Sequence, residues 1–360
     1  MSFLSIYFEL TIRFLLYPLT PIYKLAVMAR NILFAKGILK IEKVNSKVVS
    51  IGNLTIGGSG KTPLSIYVAK LFKEKGLNVA ILSRGYGRKT KGFHLVSDGN
   101  KIYGSVNETG DEIYMTAIEC KVPCAVSESR IEGAKKLLSK FKLDLILLDD
   151  GFQHRYIYRD VDIVIFDQNF LIKSGSIRQQ LLPTGDMRES FKALKRADAI
   201  IINRKFSNKM SLPIDLIPYF ENKKIFDAHY EAIGIVDIKK QVCYDLQDFH
   251  MQNSLAVSGI ANPESFFEIL ENNNITCSNK LIFRDHKSYN IKEIQKIRKK
   301  FYDTNSMCVL TTEKDAVKLK DFNKELDDIP IYYLKIEIKL DEKENFEKFL
   351  FDKLKLNNLN

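Results

Sequence analysis

Between Val48 and about Asn222 the chain alternates short, wholly apolar runs with longer stretches whose apolar residues recur every three or four positions. Residues 78–83, 143–148, 162–166 and 199–203 read as strands buried on both faces, because continuous Ile, Leu and Val leaves no face for water. Lys47-Val48-Val49-Ser50-Ile51 is one more. After it, residues 63–75 place Leu64, Val68, Leu71 and Phe72 on one helical face before Gly76 stops the helix. Strand and helix in alternation predict a doubly wound parallel sheet, with ligands at the carboxyl ends of its strands.

After Asn222 the texture changes. Residues 230–239 and 331–340 read as extended, the second as the clean alternation YYLKIEIKL. Between them run three shorter strand–helix pairs: 255–258 with 263–271, 280–283 with 291–302, and 308–311 with 315–320. These predict a second, smaller α/β domain joined by a two-stranded ribbon. The expected organisation is an amino-terminal helical segment (1–40), a doubly wound domain (41–222), the smaller domain with its ribbon (223–340) and a last helix within 341–360.

The first forty residues are apolar but not a span. Glu9, Arg13, Lys24 and Arg30 interrupt them, and the longest uncharged run, Phe14 to Tyr23, holds two prolines. No small-residue cleavage site marks a signal peptide. Five basic residues against one acidic, among large apolar side chains, suit helices lying in the interface of an anionic membrane. A helix pair packed on the protein's own core fits the pattern equally. The formal charge of +11 over 360 residues asks for an anionic partner: nucleic acid, membrane or phosphorylated substrate. Five scattered cysteines argue for a reducing compartment, with Cys120 and Cys124 as core thiols rather than metal ligands.

The sharpest chemical signal is GNLTIGGSGKTP, residues 52–63. It lies between a strand and a helix, where helix-terminal amides face phosphates. Gly57, Gly58, Ser59 and Gly60 let the backbone curl, Lys61 reaches outer phosphates and Thr62 offers a hydroxyl to magnesium. Thr55 stands where a phosphate loop usually has its first glycine, and Gly52 is a candidate substitute. DLILLDDGFQHR (144–155) ends a strand in Asp149 and Asp150, which can hold a metal beside such a loop. SRGYGR (83–88) offers Arg84 and Arg88 for phosphate. TGDEIYM opens a helix with Asp111 and Glu112, where acids also serve as caps. RQQLLPTGDMRES carries Arg188 and Glu189, FRDHKSY carries Asp285 and His286, and TTEKDAVKL carries Lys314 and Asp315.

In this order the stretches closely resemble the tetraacyldisaccharide 4'-kinase family of lipid A synthesis, whose loop is itself the variant form. The resemblance covers most of the chain and implies a P-loop kinase dependent on ATP and Mg2+. Its acceptor would be the 4'-hydroxyl of a lipid A disaccharide 1-phosphate, at the cytoplasmic face of a bacterial inner membrane. It implies Asp111 as catalytic base with His286 assisting, and Lys61 and Thr62 on phosphates and metal. Asp149, Asp150 and His154 would organise metal and substrate, with Glu189 a further metal-site acid. With Asp111 in the first domain and His286 in the second, the two would meet by closure about the ribbon. The chain departs from the family in having Lys287 after His286 where a second His is common, and Asp186 where Pro is common. Two other classes compete. A nucleic-acid-stimulated NTPase would explain the charge, but no nucleic-acid-binding pattern accompanies it. A membrane-bound nucleotide switch would leave Asp111 and His286 unexplained.

Overall fold

The computed structural model describes Thr11 and residues 13–260, 262–284 and 289–356. Two compact units emerge from the packing. The first comprises the described residues of Met1–Arg84, Ser127–His229 and Lys339–Asn360. Its strands form a parallel array in the order Val79–Ser83, Leu145–Asp149, Lys47–Gly52, Val161–Asp167, Ala199–Asn203 and the start of Lys224–Asp237. Every residue of Val79–Ser83, Leu145–Asp149 and Ala199–Asn203 is buried, as the unbroken apolar runs require. The helix Lys61–Glu74 covers this array through Leu64, Val68, Leu71 and Phe72. The last helix, Lys343–Leu354, buries Phe346, Leu350 and Leu354, with Phe346 against the rings of Tyr67 and Phe226. One pairing matters most for function. Ile51 lies beside Asp149 in register, so the glycine loop and the Asp149–Asp150 turn leave adjacent strands at the same sheet edge.

The second unit comprises Gly85–Val126 and the described residues of Tyr230–Ile338. Its parallel strands run Asn279–Ile282, Ser254–Ser258, Cys308–Thr312 and Ile331–Leu340, with Pro263–Asn272, Ile291–Asp303 and Glu313–Leu319 as helices. Ile294, Ile297 and Phe301 bury one face of their helix with Leu255, Val257 and Val309. Two expectations change and one element is added. Residues 85–126 pack with the described residues of 230–338, so Asp111 belongs to the second unit and not to a continuous 41–222 body. The stretch supplies an antiparallel pair, His94–Asp98 with Pro123–Val126, that its short, partly polar sequence did not announce. The expected ribbon strands are also full sheet members. Lys224–Asp237 pairs with Ala199–Asn203, and Ile331–Leu340 with Cys308–Thr312.

Candidate active site

Gly52 ends its strand where a Cβ would lie 2.6 Å from the Cβ of Phe152 and 2.8 Å from its amide. It is small so that the Gly151-Phe152 turn can cross it, and it does not replace the missing loop glycine. No replacement is needed. Thr55 forms an antiparallel bridge to Met187, an extended conformation that a β-branched residue favours. The left-handed backbone comes later, at Gly57 (φ 98°) and at Gly60 (φ 104°), which begins the helix Lys61–Glu74. A Cβ built on Gly57 or Gly58 would meet nothing within 4 Å, so the loop has open space before it. Buried side chains hold its back. Asn53 Nδ2 donates to Ser59 Oγ (3.0 Å), and Asn203 Nδ2 donates to the Ser59 carbonyl (3.1 Å).

Lys61 begins that helix, and its Nζ lies 3.8 Å from Asp150 Oδ1. Arg188 Nη1 donates to both Asp150 oxygens at 2.9 Å. Burial pushes the Asp150 carboxyl up, but Lys61 and Arg188 outweigh it and hold it below the usual carboxylate range. Asp150 also has φ 53°, a left-handed conformation that an aspartate adopts at a cost of about 1–3 kcal/mol. The turn therefore aims this carboxylate at Lys61 instead of continuing the strand. Asp149 is buried beside it and accepts from Ser65 Oγ at 2.9 Å, which ties it to the glycine-loop helix. Thr62 is buried one residue after Lys61.

Glu189 has partners of its own. Its carboxylate, 1% exposed, accepts from Arg196 at 3.0 and 3.1 Å and from Asn31 at 3.1 Å, with Arg30 3.4 Å away. Among the described residues no three of His, Cys, Asp and Glu gather as a metal set. Asp149, Asp150 and Thr62 still suit Mg2+. That ion takes one or two carboxylates and completes its shell with phosphate oxygens and water, and the open glycine loop leaves room for those phosphates.

His154 follows on the same turn, and its Nε2 accepts from the Arg130 amide at 3.3 Å. Burial first, then the charges of Arg130, Arg159 and Arg84, lower its pKa from the ordinary 6.5 to about 4. It is thus a neutral hydrogen-bonding group near pH 7, beside the exposed Arg84. The unfolded chain binds this proton first, so the stability His154 confers should fall as pH drops from 6.5 towards 4. Urea unfolding of wild type and His154→Gln across that window checks this. The variant should show a shallower loss, and identical slopes would contradict the assignment.

Asp111 opens the helix Asp111–Cys120 in the second unit after Gly110 (φ 98°) and is 6% exposed. It is more than a cap, since Lys318 Nζ lies 3.2 Å from its Oδ2. His286, with Asp285 and Lys287, lies outside the described residues. Asp186 accepts from Arg13 at 2.8 Å, and its amide donates to the Arg178 carbonyl (2.9 Å), a bond Pro could not make. Arg188, Ser65, Asn203 and Arg130 gained no role from the sequence. Each acts through a partner distant along the chain, and only the hydrophobic frame brings them together.

The amino-terminal helix, Thr20–Ala35, meets the Arg188–Glu189 loop through polar groups. Tyr23 OH donates to the Arg188 carbonyl (3.0 Å), and Asn31 reaches Glu189. Of its residues only Phe34 is buried. Ile22, Leu25, Met28 and Ile32, spaced three and four apart on one face, are 64%, 61%, 51% and 45% exposed. No helix of the described residues is long and apolar enough to cross a membrane.

A model of the family Tetraacyldisaccharide-1-P 4'-kinase (LpxK) matches residues 12–355. A tetraacyldisaccharide 4'-kinase of Halothermothrix orenii is 35% identical over 350 residues, covering 91% of this chain and 89% of the relative. One of Aquifex aeolicus is 32% identical, covering 93% and 97%. The crystal structure of the Aquifex LpxK in complex with ATP superposes with a TM-score of 0.79 at 30% identity, covering 95% of this chain and 99% of that one. The P-loop fold, the order of motifs and these full-length likenesses agree, and the chain belongs to the tetraacyldisaccharide 4'-kinase family.

Proposed function

We propose that this chain transfers the γ-phosphate of ATP to the 4'-hydroxyl of a tetraacyldisaccharide 1-phosphate through the residues assembled above. The observation that carries the assignment of roles is the Lys61–Asp150–Arg188 cluster beside an open glycine loop. Amides of Gly57, Gly58, Ser59 and Gly60 cradle phosphates with the helix dipole behind them. Lys61 neutralises the outer phosphates. Asp149, Asp150 and the Thr62 hydroxyl would hold Mg2+, which would supply neutralisation of phosphate charge. Arg188 keeps Asp150 ionised and oriented, and Arg84 with neutral His154 contributes cation and hydrogen bond to a phosphorylated ligand. Asp111 accepts the proton of the acceptor hydroxyl as its oxygen bonds to phosphorus and the bond to the ADP oxygen breaks, and His286 assists it. Glu189 fixes the amino-terminal helix to the Arg188 loop.

The partners are the lipid substrate and the anionic cytoplasmic face of the inner membrane, reached by the exposed Ile22–Leu25–Met28–Ile32 stripe, and not nucleic acid. The double variant Ile22→Asp/Leu25→Asp should float poorly with anionic vesicles and raise KM for lipid at least several-fold, with KM for ATP nearly unchanged. Wild-type flotation would remove the membrane role of this helix. Adding lipid disaccharide, then polynucleotide, to an ATP-turnover assay tests the function as a whole. Lipid alone should stimulate turnover, and stimulation by polynucleotide would favour the nucleic-acid class.

A further inference from the structure

The stretch TTEKDAVKL, 311–319, forms the end of a strand and the helix Glu313–Leu319, and it holds a buried charge chain. Asp315 is 0% exposed; its Oδ2 accepts from the Gly259 amide and from Thr312 Oγ1, both at 2.8 Å. A Cβ on Gly259 would come within 3.0 Å of Asp315 Oδ1 and 3.2 Å of the Tyr289 hydroxyl, so the glycine admits this contact. One turn on, Lys318 is 8% exposed, with Nζ 3.9 Å from Asp315 Oδ1 and 3.2 Å from Asp111 Oδ2. The Lys318 ammonium is within ion-pair distance of both carboxylates but outside hydrogen-bond geometry with either.

We propose that Lys318, anchored by Asp315, is a positioning residue that keeps Asp111 ionised and oriented as the base for the acceptor hydroxyl. The proposal rests on Asp111 being that base. A carboxylate buried like Asp111 tends towards its neutral acid, which cannot take a proton, and a cation at 3.2 Å opposes this. Other charged and polar groups lie near Asp111 as well. Lys314 is 3.8 Å from Asp111 Oδ2 but is shared with Glu112 at 3.6 Å. The Glu112 amide donates to Asp111 Oδ1 at 3.0 Å. The loop packed on Gly110 carries Tyr86, which approaches through its carbonyl, and Arg88, which is turned to the Gly92 carbonyl at 2.7 Å. A lysine this buried beside two carboxylates is costly as a stability device alone, since hydrophobic replacements of buried ion pairs are often neutral or better.

The test is the pH profile of kcat/KM for lipid in the full-length protein. Activity that needs ionised Asp111 is present above its pKa and lost as pH falls through it. Lys318→Met should therefore move the acid limb to higher pH by about one unit. Turnover on the acid side of the limb should fall by up to about tenfold, turnover well above it should change little, and ATP affinity should stay within about twofold. Lys314→Met, at a more exposed site, should move the limb the same way by less, and it stands in if Lys318→Met fails to fold. An acid limb at the wild-type position in the folded variant, with kcat lowered equally at all pH, would mean a structural role only and overturn the proposal. Asp111→Asn separates the two claims. If it keeps wild-type activity, the base assignment itself fails; if it is inactive while Lys318→Met has the wild-type limb, only the Lys318 role fails.

Discussion

Replacing Lys61 by Ala is expected to lower lipid-dependent kcat by about 10²–10³-fold, the scale seen when one preorganised charge partner of a transition state is removed. Phosphoryl transfer leaves little covalent work for the protein, so charge placement dominates the barrier. Lys61 is mostly enclosed, starts the helix that follows the glycine loop and lies 3.8 Å from Asp150. Asp150→Asn should cost a similar factor for a second reason: Arg188 loses the carboxylate it grips through both oxygens. Neither substitution empties a core position, so thermal unfolding should move little. The check is kcat and Tm of both purified variants. Wild-type turnover in either one would remove the cluster from the mechanism.

The second large effect is expected at Asp111 and His286. General-base assistance is worth about 10²–10⁴-fold. Asp111→Ala should lose most of that, and His286→Ala a substantial part. If the imidazole acts through the carboxylate, the two form one unit and their losses do not multiply. The double variant should then be within a few-fold of Asp111→Ala. Asp111 lies in the unit of Gly85–Val126 with the described residues of Tyr230–Ile338, and His286 lies outside the described residues. Single-turnover kinetics of the three variants settles the coupling. Losses that multiply would assign the two residues separate jobs.

Much of the first unit was legible because buried parallel strands announce themselves as unbroken apolar runs, and the glycine loop has distinctive chemistry. The Ile51–Asp149 pairing follows once strand ends and motifs coincide. What stayed hidden depends on contacts far apart in sequence. Nothing local to Arg188 says that it closes on Asp150, 38 positions away. Thr55 looked like a defect in a glycine pattern, and only its bridge to Met187 shows that the backbone there is extended. Gly52 looked like a compensating loop glycine, whereas the constraint on it is the approach of Phe152. Residues 85–126 were assigned by chain order, but packing overrides order where a polar five-residue strand finds its partner at Pro123–Val126.

The central claim is that this chain moves phosphate to one hydroxyl of a lipid disaccharide, and the direct measurement follows the label. Purified protein is incubated with γ-labelled ATP, Mg2+ and tetraacyldisaccharide 1-phosphate in mixed micelles, and the lipid product is characterised by mass and phosphorus NMR. The account predicts a bisphosphorylated lipid, labelled at the 4' position, formed by wild type and lost in Lys61→Ala. Label released only as inorganic phosphate, or a lipid that remains monophosphorylated while ATP is consumed, would contradict it.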